Sequence, residues 1–259
     1  MAIQELLDPI TAAGGEVRFG RFDEWQQGRT LYGGASALIA YTAAIRAFPD
    51  LPPLRAGQIA FVAPVDETAE LRREIVRQGR NVTQVRGEIW CEGRCTLTAF
   101  FLFGAEREAN ASHEAAPLPD WPGSPGDAEE VMGNQGPAFL QNNFELRRAQ
   151  DQRGPGDPVV RRWARLKPPT GLDAVSELIL LGDVLPPGAM RAMARPGPLS
   201  SINWSFNLLD TAPQTSDSWW LSENASQHAS AGYSSERLRL WNAEGRQVMD
   251  GLQSVAIFG

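Results

Sequence analysis

The chain has 259 residues, 42% of them hydrophobic and 21% charged, and a formal net charge of -7. That is enough apolar material for two ordinary domains with real cores, and no apolar run approaches the roughly 20 residues of a bilayer span. The acidic balance argues against nucleic acid, which needs an electropositive face. Two cysteines exclude a disulfide framework and fit a reducing compartment. The start, Met1 to Asp8, lacks the basic and long apolar stretches of a signal peptide, so a cytoplasmic location without membrane attachment is the expectation.

Gly33-Gly34 precede an apolar helical pattern at Leu38, Ile39, Thr42, Ile45 and Ala47, which Pro49, Pro52 and Pro53 end. Strands are predicted at 56–62, 69–77, 84–91 and 95–103. They are separated by Pro64-Val65-Asp66, Gln78-Gly79-Arg80 and Glu92-Gly93-Arg94. Residues 108–136 are rich in Ala, Pro, Gly and Ser and read as a linker. Strands resume at 137–147 and 159–166. Pro168-Pro169-Thr170 announces a second helix with Thr170 as N-cap and Leu172, Val175, Leu178 and Ile179 as its stripe, stopping near Pro186-Pro187-Gly188. Strand patterns follow at 199–208, 219–227, 234–241 and 247–258.

The two halves echo each other. Cys91-Glu92-Gly93-Arg94-Cys95 and the run to Phe103-Gly104 match Ala243-Glu244-Gly245-Arg246-Gln247 and the run to Phe258-Gly259, with Gln253 standing where the first copy has Phe101. The pattern is α+β: a helix plus an antiparallel sheet, twice, each sheet covering its apolar face with its own helix and the halves side by side. The expected division is 1–108, a linker at 109–136, and 137–259.

The quoted motifs are Leu31-Tyr32-Gly33-Gly34, Leu181-Gly182-Asp183, Ser201-Ile202-Asn203 and Glu244-Gly245-Arg246 followed by Val248 and Gln253. In this order they make the chain similar to the double-hotdog acyl-CoA thioesterases, most nearly the bacterial acyl-CoA thioesterase II family. The resemblance implies two tandem hotdog domains and an acyl-CoA substrate. It also implies hydrolysis by directly attacking water, with no metal or other cofactor. Family members hold and polarise that water with an Asp, a Thr or Ser, and a Gln. By position these fall on Asp183, Ser201 and Gln253. Hotdog sheets commonly associate edge to edge, which makes a homodimer the default assembly.

Read physically, Asp183 follows a helix C-terminus, an unfavourable place for a carboxylate, so it has either a compensating partner or a catalytic task. Otherwise it is an exposed Asp beginning the turn before Pro186. Gln253 shares an apolar strand face with Met249, Gly251 and Val255. Its buried amide needs partners, either a water with Asp183 or the backbone across the sheet. Strand alternation puts Ser201 on the polar face unless a bulge at Ser200-Ser201, or a position at the seam between halves, re-aims it. Ser200 is the alternative hydroxyl. Tyr32, Gly33 and Gly34 are candidate substrate-binding residues, as N–H donors to an oxyanion or simply as a tight helix entry.

His113 and His228 form no evident Ser-His-Asp set, Gly-x-Ser-x-Gly is absent, and Cys91 with Cys95 lack a second ligand pair for zinc. The arginine runs 72–86 and 161–167 either meet a ligand's phosphates or are solvated strand faces. Two further functions stay open: an acyl-CoA binding protein without turnover, and, against the absence of an Asp–His pair before the helix, an enoyl-CoA hydratase.

Overall fold

The structure is a computed structural model that describes residues 2–131, 136–151, 153–168 and 170–258. Pro169 in the predicted helix entry, Gly259 at the end of the second repeat and part of the expected linker lie outside the described residues. The N-terminal half contains α1 (Ile3–Leu7), β1 (Gly15–Arg18), β2 (Gln26–Gln27), β3 (Thr30–Leu31) and α2 (Gly33–Ala47). The strands β4 (Leu54–Phe61), β5 (Thr68–Gln78), β6 (Val82–Cys91) and β7 (Arg94–Gly104) follow. The C-terminal half has α3 (Ala138–Asn143), β8 (Phe144–Arg148), β9 (Val159–Leu166) and α4 (Ala174–Leu181). It closes with β10 (Leu199–Leu208), β11 (Trp220–Ser230), β12 (Tyr233–Asn242) and β13 (Gln247–Ile257). No helix among the described residues is long and apolar enough to cross a membrane.

Each half wraps an antiparallel sheet around a helix, the double-hotdog architecture. The halves do not merely lie side by side. Eleven strands form one sheet in the order β1-β5-β6-β7-β4-β10-β13-β12-β11-β9-β8. The seam is β4 against β10, in register from Asn203↔Ala60 to Asn207↔Ala56. At this seam Phe206 lies over Gly57 on one neighbouring strand and Gly251 on the other, and a Cβ on Gly57 would meet the Phe206 ring at 2.5 Å. Both helices and both halves of the sheet contribute to a single core cluster.

α2 is buried on every side from Gly34 to Ala44, and its alanines serve both helix propensity and close packing. Gly87 of β6 approaches it so closely that a Cβ would stand 3.3 Å from Ala40 O. The helix stops at Phe48, held out of the helical region (φ -129°, ψ 78°) by Pro49. α4 has eight residues and begins later than Thr170 suggested. Its cap is Asp173, whose carboxylate accepts from Ser176 N at 3.0 Å and Ser176 Oγ at 2.7 Å. Thr170 instead receives Leu172 N and donates to Glu177. Asp173→Ala should cost about 1 kcal/mol, to be read as a lower urea midpoint at unchanged slope.

The predicted strand at 137–147 is half wrong. Residues 138–143 form α3, and only Phe144 onwards is extended. The apolar positions Phe139, Leu140, Phe144 and Leu146 suit either structure. α3 packs inward, stacking Phe139 on Tyr32 at 4.1 Å between ring centroids. On the outer face of the C-terminal half, Trp163, Trp219, Leu221 and Trp241 form a second cluster. The irregular segment before α3 covers it, Leu118 joining it and Trp121 meeting Trp163 edge-on at 5.5 Å.

Candidate active site

α4 ends with its C-terminus directed at the N-terminus of α2. Gly34 makes this approach possible: a Cβ there would lie 2.5 Å from Leu180 O and 2.6 Å from the Tyr32 hydroxyl. The Tyr32 hydroxyl donates to Leu180 O at 2.5 Å, tying the two helix ends together. Burial, and then the nearby Asp183 charge, holds the Tyr32 phenol well above its ordinary range, so it stays a donor.

Asp183 follows the α4 C-cap, Gly182. Gly182 has no side chain because the Trp204 ring fills that space, inside van der Waals contact of where a Cβ would be. The Asp183 side chain crosses to α2. Its Oδ2 lies against Gly33, so closely that any Gly33 side chain would overlap it, and its Oδ1 accepts from Gln253 Nε2 at 2.8 Å. The partial positive charge at the start of the 15-residue α2 thus answers the unfavourable end of α4. Asp183 is enclosed on most sides but keeps part of its surface open to a cleft of about 330 Å³. Burial pushes its carboxyl up from the ordinary 3.8 to about 7, with the Gln253 hydrogen bond pulling the other way.

Gln253 is buried on the core face of β13, opposite Trp204 on β10 and Glu236 on β12. Ser201 is re-aimed by a bulge one residue further along than Ser200-Ser201. Ser201 pairs with Val255 and Asn203 with Ser254, leaving Ile202 as the extra, exposed residue. Ser201 therefore shares the face of Val255 and Gln253, at the strand that also forms the seam. Asn203 holds the bulge in place, its Oδ1 accepting from Ser254 N at 3.0 Å.

Asp183, Ser201, Ser200 and Gly33 line one cleft, together with Gln27, Thr30, Ser36, Phe61, Thr96 and Pro187. Gln253 reaches it through the Asp183 carboxylate. Tyr32 and Gly34 build the cleft rather than line it. The Tyr32 N–H is taken by Trp25 O at 2.9 Å, and Gly34 is buried between the helices. Among the described residues no three metal-ligating side chains gather as a metal site requires. The arrangement can hold a water against a carboxylate near neutrality, beside a hydroxyl and a helix N-terminus.

Family models for the acyl-CoA thioesterase N-terminal domain and C-terminal domain match residues 22–104 and 113–257. No curated protein matches the chain. Among solved structures, a conserved protein of unknown function with a hot dog fold from Alicyclobacillus acidocaldarius is similar at TM-score 0.85. It is 23% identical, with 98% of each chain covered. An acyl-CoA thioesterase II from Mycobacterium marinum is similar at TM-score 0.72 and 16% identity, covering 98% of this chain and 97% of its own. A tesB protein of Mycobacterium avium subspecies paratuberculosis is similar at TM-score 0.75 and 18% identity over the full length of both. These likenesses establish the fold, while the two matched domain models, in order and spanning most of the sequence, place this chain in the acyl-CoA thioesterase family.

Proposed function

We propose that the protein hydrolyses an acyl-CoA to the free acid and coenzyme A by direct attack of water, the halves dividing at 1–108 and 137–259. The observation that carries this reading is the Asp183 carboxylate, anchored on one oxygen by Gln253 and set against Gly33 on the other, open to the cleft that Ser201 lines. With its pKa near 7, Asp183 is ionised often enough to take a proton and basic enough to keep it.

In this scheme Asp183 accepts a proton from the water as its oxygen adds to the thioester carbon. The carbonyl oxygen becomes an oxyanion in the cleft beside the start of α2, whose partial positive charge favours it. The oxyanion then collapses, the carbon–sulfur bond breaks, and the thiolate leaves with the proton that Asp183 held. Ser201 fixes the water from the opposite side, and Gln253 fixes the carboxylate.

The test is release of free thiol from short, medium, long and aryl acyl-CoAs. Ser201→Ala should lower kcat about tenfold on the best of these, the effect of losing one well-placed hydrogen bond. Calorimetric binding of acyl-CoA with no thiol release by the wild type would replace this reading with that of a binding protein.

A further inference from the structure

The cleft contains a carboxylate, hydroxyls, an amide and apolar groups, but among the described residues no lysine, arginine or histidine lines it. An acyl-CoA carries a diphosphate and a 3′-phosphate at the end remote from its sulfur, and such groups are held by cations. The arginine runs on the strands are engaged elsewhere. Arg72 pairs with Glu70, Arg86 with Glu74, Arg161 with Glu223 and Arg165 with Glu145. Arg77 and Arg80 border the β5–β6 turn, which bonds Ala105 just beyond β7. Thr96, which lines the cleft, lies nine residues back from Ala105, about 30 Å away at the usual strand rise.

Arg29 is placed differently. It forms the tip of the β2–β3 hairpin with Gly28, whose φ of +68° makes the tight turn possible. The residues on either side of that tip, Gln27 and Thr30, both line the cleft. Thr30 Oγ1 accepts from Val65 N at 3.4 Å, tying the hairpin to the opposite wall. Arg29 is exposed at this rim, and among the described residues no ion pair engages it. Arg94, two residues before Thr96, has the Glu92 carboxylate 3.7 Å away, a competing anion that Arg29 lacks among the described residues.

Resting on the acyl-CoA reading above, we propose that Arg29 is the cation that takes the phosphates of coenzyme A, and that the β2–β3 hairpin is the lip over which the pantetheine arm enters. A guanidinium at an exposed rim contributes to binding, not to the chemical step. Arg29→Glu should therefore raise KM for acyl-CoA about tenfold, through charge reversal against a polyanion, with kcat kept. The same acyl group on pantetheine, which has no phosphate, should show equal KM in variant and wild type. Raising the ionic strength should raise the wild-type KM and move the variant's less. Arg80→Glu, at the far end of the sheet, should change neither.

An unchanged KM for acyl-CoA in Arg29→Glu would overturn the assignment. So would an equal rise on both substrates, which would mark Arg29 as a support of the hairpin alone. Calorimetry with coenzyme A itself separates this from the hydrolysis reading: binding weakened by Arg29→Glu in a protein that releases no thiol sustains the phosphate site and removes the hydrolase. No binding of coenzyme A to a wild type that releases thiol removes the phosphate site and leaves the hydrolase.

Discussion

Asp183→Asn is expected to lower thiol release from acyl-CoA by about 10²- to 10⁴-fold, the usual contribution of a positioned base, while making the protein more stable at pH 8. The two effects have one cause. Folding lifts this carboxyl from an ordinary 3.8 to about 7 by removing it from water. A group whose pKa is raised on folding binds its proton more tightly in the native state. Its favourable contribution is complete below about pH 4 and is lost as pH rises through 7. Above pH 7 the buried charge costs on the order of 4 kcal/mol at most. Asparagine keeps the shape and never ionises. Its melting temperature should exceed that of the wild type by several degrees at pH 8, and the two should converge only below about pH 4. The wild-type kcat/KM should rise with pH to a plateau, with an apparent pKa of about 7. Wild-type turnover in Asp183→Asn, or a flat pH–rate profile between 5 and 9, would refute the assignment of the base.

Gly33→Ala should displace the Asp183 carboxylate without removing it. Gly33 is the first residue of α2, in ordinary helical conformation, so alanine there improves helix propensity. The added methyl would overlap Asp183 Oδ2 and come within 3.2 Å of the Phe61 ring. Asp183 is held from the other side by Gln253, and Trp204 closes the space behind Gly182. The carboxylate must therefore turn away from the cleft, and a displacement of about 1 Å at a reacting group costs about 10²-fold in rate. The expected result is kcat reduced about a hundredfold in a protein whose melting temperature falls by a few degrees, because the overlap outweighs the gain in helix propensity. Retained turnover would show that the Asp183–Gly33 contact is not part of the working geometry.

Much of this was legible in the sequence, for local reasons. The paired runs ending at Cys91 and Asn242 with their return strands are alternating segments around tight turns, and both hairpins fold where the pattern placed them. That Gln253 needs a buried partner is legible from an amide on an apolar strand face, whereas the choice of Asp183 over the backbone across the sheet is decided by the fold. Other features depend on contacts distant in sequence. Helix α3 was misread because its apolar spacing fits a strand equally well and its packing on Tyr32 decides the outcome. The N-cap of α4 is ambiguous in the sequence because Thr170 and Asp173 are both good N-cap residues. Nothing near Gly182 announces that Trp204, on another strand, fills the place of its side chain. The bulge after Ser201 was half visible in a serine on the wrong face, but Asn203, which stabilises it, gave no signal of its own.

The replacement of Gln253 by Phe101 in the other copy has a consequence for the molecule as a whole. Two identical single-helix chains related by symmetry would have to carry the same side chain at both positions, an amide or a ring in each. Joined in one polypeptide, the copies can divide the labour. Phe101 sits in a nest of rings with Tyr41 and Phe103, so one copy fills with apolar packing the place that the other gives to the Gln253–Asp183 hydrogen bond.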